Sequence, residues 1–164
     1  MTNPYIIMGA NGGIGEALAR RMDAAGRDLI LTARDSETIS HLPGRHMEVD
    51  IDDERAFEAL GEEAASYEDG IAGLAYCVGS IVLKPFNKAN DRDFLDAFNL
   101  NLLGAVQALR ACQSPLRQGN AGVVLFSTVA VQKGFTSHSV IASAKGAVEA
   151  LTRSMAAEWA PHVR

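Results

Sequence analysis

The sequence predicts an α/β protein with a doubly wound parallel sheet of five strands between two helical layers, a three-layer α/β/α arrangement. Two observations predict this fold. Short apolar runs typical of buried strands alternate with longer stretches in which apolar residues recur at helical spacing. The first strand leads through a glycine-rich turn directly into a helix. Because parallel strands need right-handed crossover connections, this alternation favours a doubly wound order.

The first predicted elements form a βαβ unit. A strand at 5–8 is followed by a helix over 13–25, which Gly26 ends, and by a second strand at 28–32.

The middle of the chain continues the alternation. A strand at 45–49 precedes Asp52, the predicted N-cap of an acidic helix that reaches about Tyr67. The fourth strand is predicted at 71–77.

Two long helices dominate the last part of the chain. Asp91 is the predicted N-cap of an amphipathic helix over 91–119. The fifth strand follows at 122–127, and a last helix is predicted over 137–159, where Pro161 limits its continuation.

Composition limits the function classes. The formal net charge is −5 and no Lys/Arg cluster exists, so nucleic-acid binding is not expected. Cys77 and Cys112 lie far apart, which fits free thiols in a reducing cytosol and gives no metal-ligand spacing. No apolar run reaches membrane-spanning length, and the first strand leaves no room for a signal peptide. We therefore expect one cytoplasmic domain over 1–164, without a metal or a membrane partner.

The glycine-rich turn has the pattern of a phosphate-binding loop. Gly9 lets the chain turn sharply after the strand, Gly13 lets the backbone approach a pyrophosphate, and Gly15 lets the helix pack closely. The helix N-terminus supplies N–H donors and partial positive charge. The alternative is a tight turn that binds nothing.

The end of the second strand indicates which dinucleotide is preferred. An acidic residue at this position accepts a ribose 2′-hydroxyl and repels a 2′-phosphate. Here Ala33 is followed by Arg34, whose guanidinium can pair with a phosphate. NADP is therefore expected rather than NAD, although Asp35 is adjacent and Arg34 has the alternative of a solvated surface charge.

From Tyr5 to the last residue the chain resembles the short-chain dehydrogenase/reductase family, which has a Rossmann-like fold. The segment Gly9-Ala-Asn-Gly-Gly-Ile-Gly15 resembles its glycine motif, and Asp50-Ile51 resembles its adenine-contacting pair. Gly79 matches the glycine after strand four, where Tyr76-Cys-Val-Gly79 replaces Asn-Asn-Ala-Gly and its bracing asparagine. The implied NAD(P)-binding residues are Gly9, Asn11, Gly12, Gly13, Ile14, Gly15, Arg34, Asp50, Ile51, Val78, Gly79 and Lys145.

The resemblance also implies three catalytic residues. Asn101 matches an asparagine that organises a bound water and the catalytic lysine; its alternative is a polar side chain on the outer face of an apolar helix. Thr128 matches the substrate-orienting hydroxyl because it lies thirteen residues before the family's tyrosine position, with Ser127 as the alternative. Lys145 matches the lysine one helical turn after that position, which would hold the nicotinamide ribose.

The family's proton-donating tyrosine is absent. Its position is occupied by Ile141, and the tyrosines Tyr5, Tyr67 and Tyr76 are all far upstream. His138 lies about one helical turn before Ile141 and is a hypothetical substitute, with the alternative of an exposed residue near a helix start.

The resemblance further implies a longer chain and self-association. Family members continue with further strands and a substrate-covering segment, so we expect a C-terminally incomplete domain with five of the family's seven strands. The helices 91–119 and 137–159 are expected to form a homodimer or homotetramer.

Three functions follow from these observations. The first is an oxidoreductase that moves hydride between NADP(H) and a carbonyl or alcohol substrate in an atypical site. The second is a dinucleotide-binding regulatory or structural protein with weak or no catalysis, because Ile141 cannot donate a proton. An interaction domain with an empty glycine turn is a third alternative.

Overall fold

The computed structural model describes residues 3–164, and the sheet within them has five parallel strands in the order β3-β2-β1-β4-β5. The strands are β1 (Tyr5–Met8), β2 (Leu29–Ala33), β3 (Arg45–Glu48), β4 (Gly73–Tyr76) and β5 (Gly122–Leu125). Each agrees with a predicted strand to within three residues at either end. The predicted α/β fold with a doubly wound parallel sheet is confirmed.

The helices form layers on both faces of the sheet. They are α1 (Gly13–Ala24), α2 (Glu54–Ala65), α3 (Asp91–Phe98), α4 (Gly104–Ala111), α5 (Gln113–Gln118), α6 (Ala130–Lys133) and α7 (Ser139–Trp159). Alternating residues of the central strand β1 serve both layers. Ile6 packs in a cluster with Leu60 of α2 and Ala105 of α4, whereas Ile7 packs in a cluster with Ala19 of α1.

The strand order reverses next to β1. Met8, the last residue of β1, is paired with Thr32 of β2 on one side and with Tyr76 of β4 on the other. The chain connections leaving these strands diverge to opposite sides of the sheet, which opens a crevice at their carboxyl ends.

The prediction of one continuous helix over 91–119 is wrong. Between α3 and α4 the chain forms a π-helical segment, Asn99–Leu103, in which the N–H of Gly104 donates to the carbonyl of Asn99, five residues earlier. A second break lies at Cys112, between α4 and α5, and Pro115 lacks the N–H that would continue the hydrogen-bond ladder.

Three predicted helix starts are also shifted. The N-cap of α3 is Asn90, not Asp91, because Asn90 and Asp93 form a reciprocal capping box. The N-cap of α2 is Asp53, not Asp52, and its carboxylate accepts from the N–H of Arg55 at 3.0 Å. The last helix begins at Ser139, not at residue 137.

Candidate functional site

A cleft of about 610 Å³ lies at the carboxyl ends of the first four strands, where the strand order reverses. The structure brings together eight of the predicted cofactor residues in its lining: Gly9, Asn11, Gly12, Arg34, Asp50, Ile51, Val78 and Gly79. The other four predicted cofactor residues, Gly13, Ile14, Gly15 and Lys145, are not part of this lining.

The glycine turn is built by close backbone contacts. Gly9 has a φ of +73°, and a Cβ at this position would lie 3.0 Å from the backbone nitrogen of Val78. A Cβ on Gly15 would collide with the carbonyl oxygen of Gly9 and lie 2.9 Å from the Cα of Ala10. A Cβ on Gly13 would meet no atom within 4 Å. Gly9 and Gly15 therefore allow the turn to close, whereas Gly13 leaves an open surface at the helix start.

The N-terminus of α1 fits a phosphate group. Its N-cap is Gly12, which has no side chain to accept from the first N–H groups of the helix. Ile14 in the first turn is 55% exposed. Free N–H donors, the helix dipole and the space above Gly13 are the features that a dinucleotide pyrophosphate needs.

The two charged residues after β2 have different partners. Asp35 accepts from the N–H of Glu37 at 3.0 Å and thereby caps the short 3₁₀ helix Ser36–Ile39. Arg34 is exposed at the cleft, and the described residues provide it with no ion pair or side-chain hydrogen bond. The guanidinium is therefore available to an anion, while the neighbouring carboxylate is engaged with the backbone.

Asn101, Gly79 and Lys145 meet at one end of the cleft. Asn101 is 1% exposed and lies in the π-helical segment, where its Nδ2 donates to the carbonyl of Ala97 at 2.9 Å. Its Oδ1 is buried without a hydrogen-bond partner. A Cβ on Gly79 would lie 2.9 Å from this oxygen and 3.7 Å from Nζ of Lys145. The alternative that Asn101 lies on the outer face of its helix is wrong.

Lys145 is a half-buried ammonium. Its burial lowers the pKa of the amino group below the ordinary value of 10.5, because desolvation penalises the charged form. Among residues 3–164, no carboxylate forms an ion pair with it. Both Lys145 and the Asn101 oxygen are therefore polar groups that a bound ligand or water could pair.

The two candidate hydroxyls after β5 differ in their contacts. Ser127 Oγ donates to Glu149 Oε1 on α7 at 2.6 Å. Thr128 Oγ1 accepts from the N–H of Ala130 at 3.3 Å, so its own proton remains available for donation. These contacts favour Thr128 over Ser127 as the group that orients a substrate.

Ile141 and His138 have local roles in α7. Ile141 is 4% exposed, four residues before Lys145 on the same helix. The Nδ1 atom of His138 lies 2.7 Å from the carbonyl oxygen of Thr136, and its ring packs edge-on against Phe135 with centroids 5.3 Å apart. These contacts favour the alternative that His138 is an exposed residue near the start of the helix and not a substitute proton donor.

Sequence reasoning missed the role of Tyr76. Its hydroxyl donates to the carbonyl of Leu100 in the π-helical segment at 2.8 Å. The sequence does contain a signal, because residues 76–79 depart from the family's Asn-Asn-Ala-Gly pattern. This contact joins β4 to the π-helical segment rather than to a neighbouring strand.

No helix within residues 3–164 has the length and apolar character needed to cross a membrane. In the same part of the chain, no group of three or more His, Cys, Asp and Glu side chains is arranged to hold a metal ion.

Comparisons with known proteins agree with this architecture. A family model described as enoyl-(acyl carrier protein) reductase matches residues 9–164. L-xylulose reductase from Bos taurus is 30% identical over 96% of this chain and 66% of its own length. Fatty acyl-CoA reductase from Acinetobacter baylyi is 27% identical over 96% of this chain and 57% of its own length. The chain thus spans less than two thirds of these two relatives.

A solved structure gives the same fold over the whole chain. The short-chain dehydrogenase from Streptomyces avermitilis superposes with a TM-score of 0.91 over 100% of this chain and 63% of its own. Its sequence identity is 24%, so this likeness concerns the fold.

Proposed function

This chain belongs to the short-chain dehydrogenase/reductase family, and from that premise we propose that it is an oxidoreductase that uses NADP(H) to interconvert a carbonyl and an alcohol. The observation that carries the proposal is the cleft itself. Among the described residues, the open glycine turn, the unpaired Arg34 and Gly79 all line this cleft. The buried amide oxygen of Asn101 and the ammonium of Lys145 both lie next to Gly79.

The cofactor-binding residues are proposed from their position around this cleft. Gly9, Asn11, Gly12, Gly13, Ile14 and Gly15 form the pyrophosphate end, and Asp50, Ile51, Val78 and Gly79 border the adenine and nicotinamide ends. Arg34 supports NADP over NAD because its guanidinium forms no ion pair within residues 3–164 and can donate to a 2′-phosphate. Within the described residues the Asp35 carboxylate accepts from the N–H of Glu37 and forms no ion pair with Arg34, so it leaves the guanidinium free.

The proposed catalytic residues are Asn101, Thr128 and Lys145. The dinucleotide, when bound, supplies or accepts the hydride. Lys145 would hold the ribose, and Asn101 would organise a bound water and Lys145. The Thr128 hydroxyl would orient the substrate oxygen. Ile141 supplies no proton, and the side chain beside Gly79 that carries exchangeable protons at its charged end is Lys145.

The substrate class is proposed only as a carbonyl or alcohol of a small molecule. The two relatives named above are reductases of an L-xylulose and of a fatty acyl-CoA, which share a reducible carbonyl and little else.

The second candidate function is dinucleotide binding without efficient catalysis, in a regulatory or structural protein. The burial of Ile141 at the tyrosine position favours it. Loss of a positioned general acid typically lowers the rate by about 10² to 10⁴-fold.

We also propose that the chain is one NAD(P)-binding domain that self-associates as a homodimer or homotetramer. The exposed apolar side chains Leu95 and Leu103, 65% and 48% exposed, lie on the helical segments 91–119. Phe98 contributes less to such a surface because it packs against Val140 and Ala144 of α7.

Turnover measurements distinguish the two candidate functions. Wild type, Ile141→Tyr and Lys145→Met are assayed with NADPH and a panel of aldehydes and ketones. The oxidoreductase proposal expects NADPH-dependent reduction by wild type and its loss in Lys145→Met. Activity that appears only in Ile141→Tyr would support the binding protein instead.

A further inference from the structure

Tyr76 connects the end of β4 to the π-helical segment. Its side chain is 3% exposed, and its hydroxyl donates to the carbonyl of Leu100 at 2.8 Å. Desolvation raises the pKa of the phenol above its ordinary value of 10, so the hydroxyl keeps its proton and remains a donor at neutral pH. Leaving a buried donor of this kind unpaired costs free energy, so loss of the contact is unfavourable.

The end of the π-helical segment leaves room for this hydroxyl. Gly104 follows the segment, and a Cβ there would collide with the Tyr76 hydroxyl and lie 3.2 Å from both its Cζ atom and the Cγ2 atom of Ile51. A second polar contact holds the start of the segment, where Asn99 Nδ2 donates to Asp52 Oδ1 at 2.8 Å. The segment is therefore held from β4 and from the loop after β3.

The residue held by Tyr76 is adjacent to the functional one. Leu100 precedes Asn101, whose unpartnered Oδ1 faces Gly79 and lies near Lys145 Nζ. Gly79 itself is three residues after Tyr76. The Tyr76 side chain thus joins the end of β4, which leads to Gly79, to the π-helical segment that carries Asn101.

We infer that Tyr76 is a positioning residue: its hydroxyl holds the Leu100 carbonyl so that the Asn101 amide oxygen faces Gly79 and Lys145. This inference rests on the proposed function, because it gives the Asn101–Lys145 end of the cleft its working geometry. Tyr76 begins the segment that replaces the family's Asn-Asn-Ala-Gly, and its hydroxyl holds a helical segment.

The test compares Tyr76→Phe with Tyr67→Phe. Tyr67 is the matched control because its hydroxyl makes a longer contact of 3.4 Å to Glu63 of α2 and lines no part of the cleft. Hydrogen exchange of the ligand-free proteins follows the amides of 99–104. Acetylation by acetic anhydride between pH 7 and 10 follows the amine of Lys145 by mass spectrometry. NADPH titration is the third readout.

For Tyr76→Phe we expect exchange over 99–104 to become about five- to tenfold faster, the fold-change of one lost hydrogen bond. The apparent pKa of Lys145 should shift, and NADPH should bind several-fold more weakly. Tyr67→Phe should match wild type in all three. Gly104→Ala, which displaces the same hydroxyl by a different change, should reproduce the effects on exchange and on Lys145.

Unchanged exchange over 99–104 and an unchanged Lys145 profile in both Tyr76→Phe and Gly104→Ala would overturn the inference, even if thermal stability fell. The first two readouts need no cofactor. A wild-type protein that fails to bind NADPH would therefore contradict the proposed function while the exchange and acetylation data still judge the role of Tyr76.

Discussion

The carbonyl oxygen of Gly9 occupies the space that a side chain on Gly15 would need. The first and last glycines of the turn therefore touch each other, whereas a side chain on Gly13, which lies between them, would meet open space. This separates the packing role of the motif from its binding role, and the two can be measured independently.

Gly15→Ala and Gly13→Ala should have opposite effects on stability. The Gly15→Ala Cβ meets backbone atoms that cannot move freely, so we expect the free energy of unfolding to fall by about 1–3 kcal/mol. Gly13→Ala should be neutral or up to about 1 kcal/mol stabilising, because alanine favours a helix and its Cβ meets open space. Gly13→Ala should nevertheless weaken NADPH binding. Urea unfolding and fluorescence titration measure the two effects, and tight NADPH binding by Gly13→Ala would contradict the assignment of the pyrophosphate.

The contact between Tyr76 and Gly104 should appear as coupling in a double-mutant cycle. Gly104→Ala alone should cost about 1–3 kcal/mol of unfolding free energy, since its Cβ collides with the tyrosine hydroxyl. In the Y76F background that oxygen is gone, and the cost should be smaller by about 1 kcal/mol. If the unfolding free energy lost in the double variant equals the sum of the two single losses to within about 0.5 kcal/mol, the two positions do not share this space.

Lys145 should make stability depend on alkaline pH. Burial lowers its pKa in the folded protein below the ordinary value of 10.5, so the unfolded chain binds more protons between the two values. Stability should therefore rise with pH across this window, and the penalty of the buried charge should be complete below the folded pKa. We would measure urea unfolding of wild type and Lys145→Met from about pH 7 to 10.5. The free energy of unfolding of wild type should increase relative to that of the variant as pH rises.

Lys133→Met, at the exposed end of α6, corrects that comparison for the loss of one positive charge. A difference between wild type and Lys145→Met that stays constant with pH, or that falls as pH rises, would contradict the lowered pKa.

The sheet and the glycine turn were predictable because local patterns determine them. Buried parallel strands are short apolar runs, and a turn that needs the φ of +73° at Gly9 strongly favours glycine. The break in the predicted helix 91–119 was less evident, although the spacing of its apolar residues indicates it. Phe94, Phe98, Leu102 and Val106 recur every four residues, a longer period than the 3.6 of a regular helix.

The arrangement at Gly79 depended on tertiary contacts that no local pattern contains. Asn101 could have been an exposed helix residue, and its burial follows from the π-helical segment that turns it toward Gly79. In the sequence, the acidic side chain of Asp35 next to Arg34 likewise argues against NADP binding. Its cap on the 3₁₀ helix depends on backbone geometry that the sequence alone did not indicate.

The central claim, an NADP(H) site in the cleft with Arg34 at its phosphate end, is tested most directly by titrating NADPH and NADH into wild type, Arg34→Ala and Arg110→Ala. Arg110 is a control because it is exposed on α4 and lines a separate surface concavity. We expect saturable binding with NADPH tighter than NADH in wild type and Arg110→Ala. Arg34→Ala should weaken NADPH binding by about 10- to 100-fold, the loss of a charge-assisted contact, and leave NADH nearly unchanged. Absence of saturable binding of either dinucleotide to wild type, or equal losses for both in Arg34→Ala, would contradict it.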